Sequence, residues 1–511
     1  MKRIYQYIIT GTVAVMLSAG CSNFDEINTN PDAPVTATPG MLATGQIKNA
    51  VGRSNNKSYF RDHMITKHVG WGESADKQEQ YNVIGRKGFN VYTDLTNCLK
   101  MVELAADIDK DAYQGLALFL KAYELYDLSL TVGDIPYSEA FRSGEGITKP
   151  KYDTQKEVMR QILDELDDAY THFSNANRSF EGDFIYNGDP AKWKIATSAF
   201  QLKVLISLSK KESDADLDIR RRFADIVNTR PLMTSNSDNF QITYGTQSSQ
   251  IYPVHKTKNN FTQYTVLSPT VIDSFKINND YRLFYLAQPT QAKTEAGMTS
   301  GDWDAYDGVD PTLPDNEFNY LFGSGNFSNL NPRFYEIETG QPSISVGYAE
   351  QNFILSEACL RGWITGSAQE YFTKGVEASI RFTAYFTPAG YYPAERQMTD
   401  EWISDFLAGA PMQLSTAPGD FEANLNKIIT QKYLDRFMHD TWTSFYEYRR
   451  TGYPRIPINP ATNLNTMPDR MPVRWMYDQR EYDYNRDNVV EAVQRQFNGN
   501  DDVNEWMWIL K

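Results

Sequence analysis

Cysteine and histidine are scarce, with three Cys and five His in 511 residues. Three thiols cannot build the multiply stapled framework of a small secreted domain. His63 and His68 stand five apart, about 140° around a helix, and His172, His255 and His439 are isolated, so no zinc set is visible and all five read as packing or surface residues. No run of about 20 apolar residues, the length that spans a bilayer as a helix, occurs anywhere. Positive charge is outweighed: 50 Lys and Arg against 65 Asp and Glu leave −15, a field that repels phosphate backbones and argues against nucleic acid as partner. P-loop, dinucleotide-glycine, G-x-S-x-G and H-E-x-x-H fingerprints are missing too. With 65 acids, paired carboxylates of glycosidase type have many candidates and no distinguished pair, so they identify no catalytic site. Rings are plentiful: 27 Phe, 9 Trp and 32 Tyr, with Tyr near twice its usual share of about 3%. The 41% hydrophobic fraction is enough for a sizeable core, and the length allows about three or four domains at most.

The N-terminus has the layout of an export signal. Lys2 and Arg3 precede an apolar stretch from Ile8 to Ala19 and the small residues Ser18-Ala19-Gly20 before Cys21. Leu17-Ser18-Ala19-Gly20-Cys21 looks like a bacterial lipobox with Ser18 in place of the usual Leu, which makes Cys21 the expected lipidation site and gives a mature chain held to a membrane by lipid. Phe24-Asp25-Glu26 then resembles a surface-export signal of Bacteroidetes lipoproteins, and the polar, Pro-containing run to Gly40 reads as a tether. Only Cys98 and Cys359 remain; Cys359 falls on an apolar helical face and reads as a small buried hydrophobe, with a 98–359 disulfide left open.

From there the period is helical. Ala112, Leu116, Phe119, Ala122 and Tyr126 recur at three and four residues up to Gly133-Asp134-Ile135-Pro136. Thr154-Gln155-Lys156-Glu157 is a capping box ahead of the stripe Val158, Ile162, Leu166, Ala169, Tyr170. Asp189-Pro190 starts another helix, followed by a shorter one near Ile219 to Val227. A third pair runs from Tyr348 to Trp363 and from the box Ser367-Ala368-Gln369-Glu370 through Tyr371, Phe372, Gly375 and Ala378; a fourth runs from Phe421 to Phe437 and on to Arg450. The fold is therefore mainly α, a scaffold of about four degenerate tetratricopeptide-like helix pairs without a strict period. Between the second and third pairs lie residues 231–347, dense in Asn, Ser, Gly, Pro and rings, and loops on a rigid scaffold are where binding residues concentrate. The chain divides into a signal peptide (1–20), a lipid-anchored tether (21–40), scaffold (41–230), the loop-rich ligand-binding insertion (231–347) and scaffold again (348–511).

Four blocks in order carry a resemblance: the lipobox with Phe24-Asp25-Glu26-Ile27-Asn28-Thr29-Asn30-Pro31; Gly115 to Tyr123 through Tyr126-Asp127-Leu128 to Gly133-Asp134-Ile135-Pro136-Tyr137; Glu357-Ala358 with Gly362, Ala368, Tyr371-Phe372, Gly375-Val376 and Ala378-Ser379; and Gln431-Lys432-Tyr433, Trp442, Arg449-Arg450-Thr451-Gly452-Tyr453-Pro454 and Met471-Pro472-Val473-Arg474, with Glu481 and Asn485 behind. This arrangement resembles the SusD/RagB family of Bacteroidetes outer-membrane nutrient-binding lipoproteins. Tyr448, where many relatives have Asp, and Trp475-Met476-Tyr477-Asp478, in place of Tyr-Pro, depart from it in the packing scaffold and bear on subfamily. The resemblance implies an outer-membrane, cell-surface-exposed lipoprotein that captures oligosaccharide for a SusC-like TonB-dependent barrel. Peptide capture, as in RagB-like members, and a protein-interaction or adhesion scaffold are the alternatives.

Sugar recognition needs a flat apolar face beside amides and carboxylates that bond hydroxyls. Gly301-Asp302-Trp303-Asp304-Ala305-Tyr306-Asp307, with Asn319-Tyr320 after it, offers this mix, as does Trp71-Gly72-Glu73 with Gln78 to Asn82. The expected ligand-binding residues are Trp71, Tyr81, Trp303, Tyr306 and Tyr320. The resemblance to a binding family, with no catalytic motif beside it, implies a protein that is not an enzyme, and no catalytic residue, metal or cofactor is assigned. Asp302, Asp304, Asp307 and Asp310 suggest a calcium loop, but Tyr306 stands at the fifth place and Gly308 at the seventh, so a solvated or sugar-facing acidic loop is the preferred reading.

Overall fold

A computed structural model describes residues 37–73 and 77–511; Cys21, the export signal and the tether up to residue 36 lie outside the described residues. Helices of eight residues or more are labelled here. Thr38 caps α1 (Pro39–Val51), accepting from Met41 N at 3.2 Å, with Pro at the first position where no donor is needed. After α2 (Ser58–Ile65), α3 (Val91–Leu104) returns against α1, a pair not read from the sequence. The long α4 (Lys110–Val132) stops at Gly133, whose φ of 101° a side chain would resist, and packs as a hairpin on α5 (Gln155–Asn175). Both arms of the Thr154/Glu157 capping box form, and the 158/162/166/169 stripe is buried while Tyr170 is half-buried.

Asp189 caps α6 (Pro190–Ser207), which lies between α5 and the later scaffold and is buried nearly all round over its last turns; α7 (Ile219–Thr229) follows. The third pair is α10 (Tyr348–Leu360) and α11 (Ala368–Tyr385). A Cβ at Gly375 would meet the Phe353 ring at 2.7 Å, so this glycine sets how closely the two helices approach. Ser367 makes only the forward half of its box, accepting from Glu370 N at 3.2 Å. The fourth pair is α13 (Phe421–Asp435) and α14 (Trp442–Thr451); α12 (Asp400–Ala408) and α15 (Arg486–Phe497) add helices that the sequence reading leaves unassigned. Trp475 packs edge-on against Trp442 at 4.8 Å and near Phe445, and Tyr448 joins the same small core, so both family departures are packing positions.

The insertion is more ordered than a set of loops. It contains α8 (Pro269–Asn278) and α9 (Asp315–Gly323), and three two-stranded sheets fasten it and its neighbours. β1 (Val69–Trp71) pairs antiparallel with β4 (Thr265–Leu267), joining the early segment to the insertion. β2 (Arg86–Lys87) pairs parallel with β6 (Met476–Tyr477), and β3 (Phe240–Ile242) pairs antiparallel with β5 (Ser343–Val346), closing the neck of the insertion. Two large cores result. One fills the first helix pairs; the other unites insertion residues such as Val271, Phe284 and Phe334 with Phe353, Phe372, Tyr433 and Phe437 of the second-half scaffold.

The quoted family residues Glu357, Lys432 and Arg450 meet in a buried charge network. Arg450 grips Glu357 at 2.5 Å and also Glu447; Lys432 bridges Glu447 at 2.9 Å and Glu350 at 3.3 Å; Lys203 of α6 reaches Glu350 at 3.2 Å. Burial would raise the Glu350 carboxyl, but Lys203, Lys432 and Arg436 outweigh it and hold it down to about 2. Cys98 and Cys359 are both free thiols, and Cys359 keeps partial exposure, because it falls at the end of α10 beside the turn to Gly362.

Candidate functional site

The β1–β4 pair sets the position of Trp71 alone among the expected rings. Trp71 points inward: it is 0% exposed, packed by Phe60, Phe261 and Tyr264 at ring distances of 5.7, 6.2 and 5.8 Å, with Lys57 5.0 Å above it. Tyr306 is 1% exposed, edge-on to Phe284 and donating to Ser300 O at 2.8 Å. Trp71 offers no face to a ligand, which corrects the expectation, because burial of so much ring area in the second core outweighs any surface role; Tyr306, though nearly covered, stands in the wall of a cleft of about 370 Å³ that Gln288 and Pro289 also line. Tyr81 is 9% exposed and donates to Leu313 O at 3.0 Å, pinning the early loop to the insertion, and burial pushes its phenol up to about 12. Trp303 is half-buried on Phe284 at 4.6 Å, beneath the Arg396 guanidinium at 5.4 Å, which in turn is held by Gly301 O. Tyr320, on α9, is 77% exposed. Among the described residues no ring contact links Tyr320 to Trp303, so the five do not form one platform.

Three further rings of this region cluster with part of their faces open. Phe322 stacks on Phe327 (5.0 Å, 26°) and lies near Tyr264 at 6.5 Å, all three half-buried. A Cβ at Gly72 would sit 2.3 Å from the Phe322 ring, so only glycine lets the early loop run beneath it. Beside this rim opens a cleft of about 660 Å³, within the range of ligand pockets. Its walls include Gln263, Gln288, Gln291, Asn329, Phe327 and Tyr335. Asn329 is fixed from two sides, its Oδ1 accepting from Thr265 Oγ1 and its Nδ2 donating to Gln263 O at 3.4 Å. Gln291 donates to Glu295 at 2.8 Å, while the Gln288 side-chain amide has no hydrogen-bond partner among the described residues and is free to bond a ligand. Burial raises the Tyr335 phenol, keeping it a neutral hydroxyl donor. Amides, hydroxyls and ring faces suit a polyhydroxylated ligand; Glu295 is the single carboxylate of this cleft.

Three of the four acids of the acidic loop are engaged locally. Asp302 accepts from Thr299 N at 2.7 Å, Asp310 from Thr312 N at 2.8 Å, and Asp307 pairs with Lys293. No group of three or more His, Cys, Asp or Glu among the described residues is arranged to hold a metal. His63 and His68 are core residues, their rings 5.6 Å apart. The cleft residues Gln288, Asn329, Phe327 and Tyr335 were missed by the sequence reading. The only signal available was the density of amides and rings in the insertion, because no periodicity marks irregular segments.

Residues 31–478 match a family described as starch-binding, associating with outer membrane, SusD-like. The chain belongs to the SusD-like family. A SusD homologue of Bacteroides fragilis is 47% identical with a TM-score of 0.90, over 93% of this chain and all of the other. An outer membrane protein of Bacteroides vulgatus described as involved in nutrient binding is 32% identical (TM-score 0.84), and another SusD homologue of Bacteroides fragilis 33% identical (0.83), each with the same coverage. None of the curated proteins compared matches the chain. The SusD-like assignment makes this a member of an outer-membrane nutrient-binding family, and no helix among the described residues is long and apolar enough to cross a membrane.

Proposed function

We propose that this SusD-like protein captures oligosaccharides at the cell surface, anchored by lipid on Cys21, and delivers them to a SusC-like TonB-dependent barrel without transforming them. The observation that carries this reading is the 660 Å³ cleft of amides, hydroxyls and half-exposed rings, with the unpaired Gln288 amide in its wall. Family membership supports it. The ring faces cover the apolar side of a pyranose, and the amides, which both donate and accept, match its hydroxyls.

The test is affinity electrophoresis and calorimetry of residues 37–511 against plant, host and microbial glycans, with mixed peptides alongside. Saturable binding to a glycan class, weakened about tenfold or more in the Gln288→Ala, Phe327→Ala double variant, is expected. Binding to peptides alone transfers the cleft to backbone recognition, as in RagB-like capture. Binding to neither, with no barrel recovered in mild-detergent pull-downs, favours an adhesion scaffold.

A further inference from the structure

A second cleft, of about 370 Å³, opens on the other side of Gln288 and Pro289, which line both. Its ring surface is built to be rigid. Tyr392 lies flat on Tyr285 at 4.4 Å and 11°, and the Tyr285 hydroxyl is fixed by Met398 N at 3.0 Å and Arg396 O at 3.3 Å. Asn331 donates to Tyr391 O at 2.7 Å, and the Tyr391 hydroxyl donates to Glu336 at 3.2 Å. Tyr391 and Tyr392 remain half-exposed, so the stack has an open side. The two clefts share the Gln288-Pro289 ridge, so a ligand that crosses it spans more than a single sugar subsite.

The charge of that groove is as telling as its length. The residues lining the two clefts include Glu295 and Glu336 and no Lys or Arg. Of the cations around them, Lys293 pairs with Asp307, Arg396 is held by Gly301 O over the Trp303 ring, and Arg333 is buried behind the wall on Tyr285 O and Gln341; Lys256, beside Tyr335, is exposed and makes no side-chain bond into either cleft among the described residues. A uronate or sulfate placed here would meet two carboxylates and no lining cation, inside a protein of net charge −15.

Resting on the glycan-capture reading above, we infer that the ligand is an uncharged glycan chain long enough to occupy both clefts across the Gln288-Pro289 ridge, with Tyr392 as the second stacking platform. Neutral chains are selected by carboxylates that repel anionic ones, and length is read by two ring surfaces.

The test is calorimetry of residues 37–511 with neutral polysaccharides (β-glucan, xylan, mannan, starch), polygalacturonate and chondroitin sulfate, followed by a length ladder of the neutral chain that binds best. Neutral chains bind and the two polyanions do not. Affinity rises with length to a plateau, and in Tyr392→Ala the gain from length is lost, lowering long-chain affinity about fivefold to tenfold. Because Tyr392 also packs on Tyr285, circular dichroism accompanies that variant, and the exposed pair Glu295→Lys, Glu336→Lys supplies an independent reading: it gains polygalacturonate binding. Equal binding of neutral and anionic chains, or affinity independent of length and of both variants, overturns this inference and leaves glycan capture standing. Failure of every glycan overturns both.

Discussion

At the scale of single residues, aromatic content proved ambiguous because a ring serves a core as well as it serves a sugar. Trp71 and Tyr320 are the two extremes. Trp71→Ala removes a fully buried indole and should cost about 3–5 kcal/mol of stability, whereas Tyr320→Ala, on an exposed helical face, should stay within about 0.5 kcal/mol; urea unfolding followed by circular dichroism checks both. His68 gives a prediction in pH. Its ring stacks on Tyr433 at 3.9 Å, with Nδ1 and Nε2 engaged by Thr66 Oγ1 and Tyr433 O, and burial lowers it to about 3. The unfolded chain therefore binds this proton first, and stability falls as pH drops from about 6.5 toward 3. Asp62 and Glu124, pushed up to about 7 mainly by burial, act with the opposite sign as pH falls from about 7 toward the ordinary carboxylate range. Comparing wild type with His68→Gln isolates the histidine: between pH 6.5 and 5 the wild type should lose about 2 kcal/mol relative to the variant.

Among the elements, what the sequence displayed best was what a helix needs locally. The Thr154 capping box, the Asp189-Pro190 start and the Gly133 stop all rest on groups within a few residues, so they were legible and formed as written. The α1–α3 pair was missed because its partners are separated by the 52–90 segment, and α12 and α15 because short stretches rich in charge show weaker stripes. How the helices lock together was not legible either. The Glu350 carboxylate accepts charge from α6 and α13 at once, so Glu350→Gln leaves buried cations undercompensated and should cost about 3–5 kcal/mol. In the wild type this contribution is complete above about pH 4.5, the ordinary glutamate value, and is lost as pH falls toward 2. Denaturant midpoints of both proteins at pH 7 and pH 3 measure it, and the gap between them should narrow at the lower pH.

The whole molecule has two cores that share fastenings. Lys203 belongs to a helix of the first core, and its partner Glu350 to the helix that faces the second; β1–β4 and β3–β5 tie the insertion in place. Such cross-linking predicts one cooperative thermal transition for residues 37–511, with calorimetric and van't Hoff enthalpies in agreement; two resolved transitions would show the cores to be independent. The proposed anchor is tested at the same scale. Cys21→Ala should move the protein from the outer-membrane to the soluble fraction, with loss of the lipid mass from the purified chain.

The sequence by itself determined the helical elements, the excess of negative charge and the family, because capping, periodicity and net charge depend on neighbours in the chain or on simple sums. Which rings face a ligand was decided only by tertiary structure. A tryptophan beside a glycine in a loop reads alike whether the ring turns outward or is closed over by Phe60 and Tyr264, and that choice depends on strand pairing with residues nearly 200 positions away. The cleft belongs to the same class: Gln263, Gln288, Asn329 and Tyr335, up to 72 positions apart, become one surface only when the insertion folds on itself, with Asn329 bonded to Thr265, Gln263 and the Gln288 backbone.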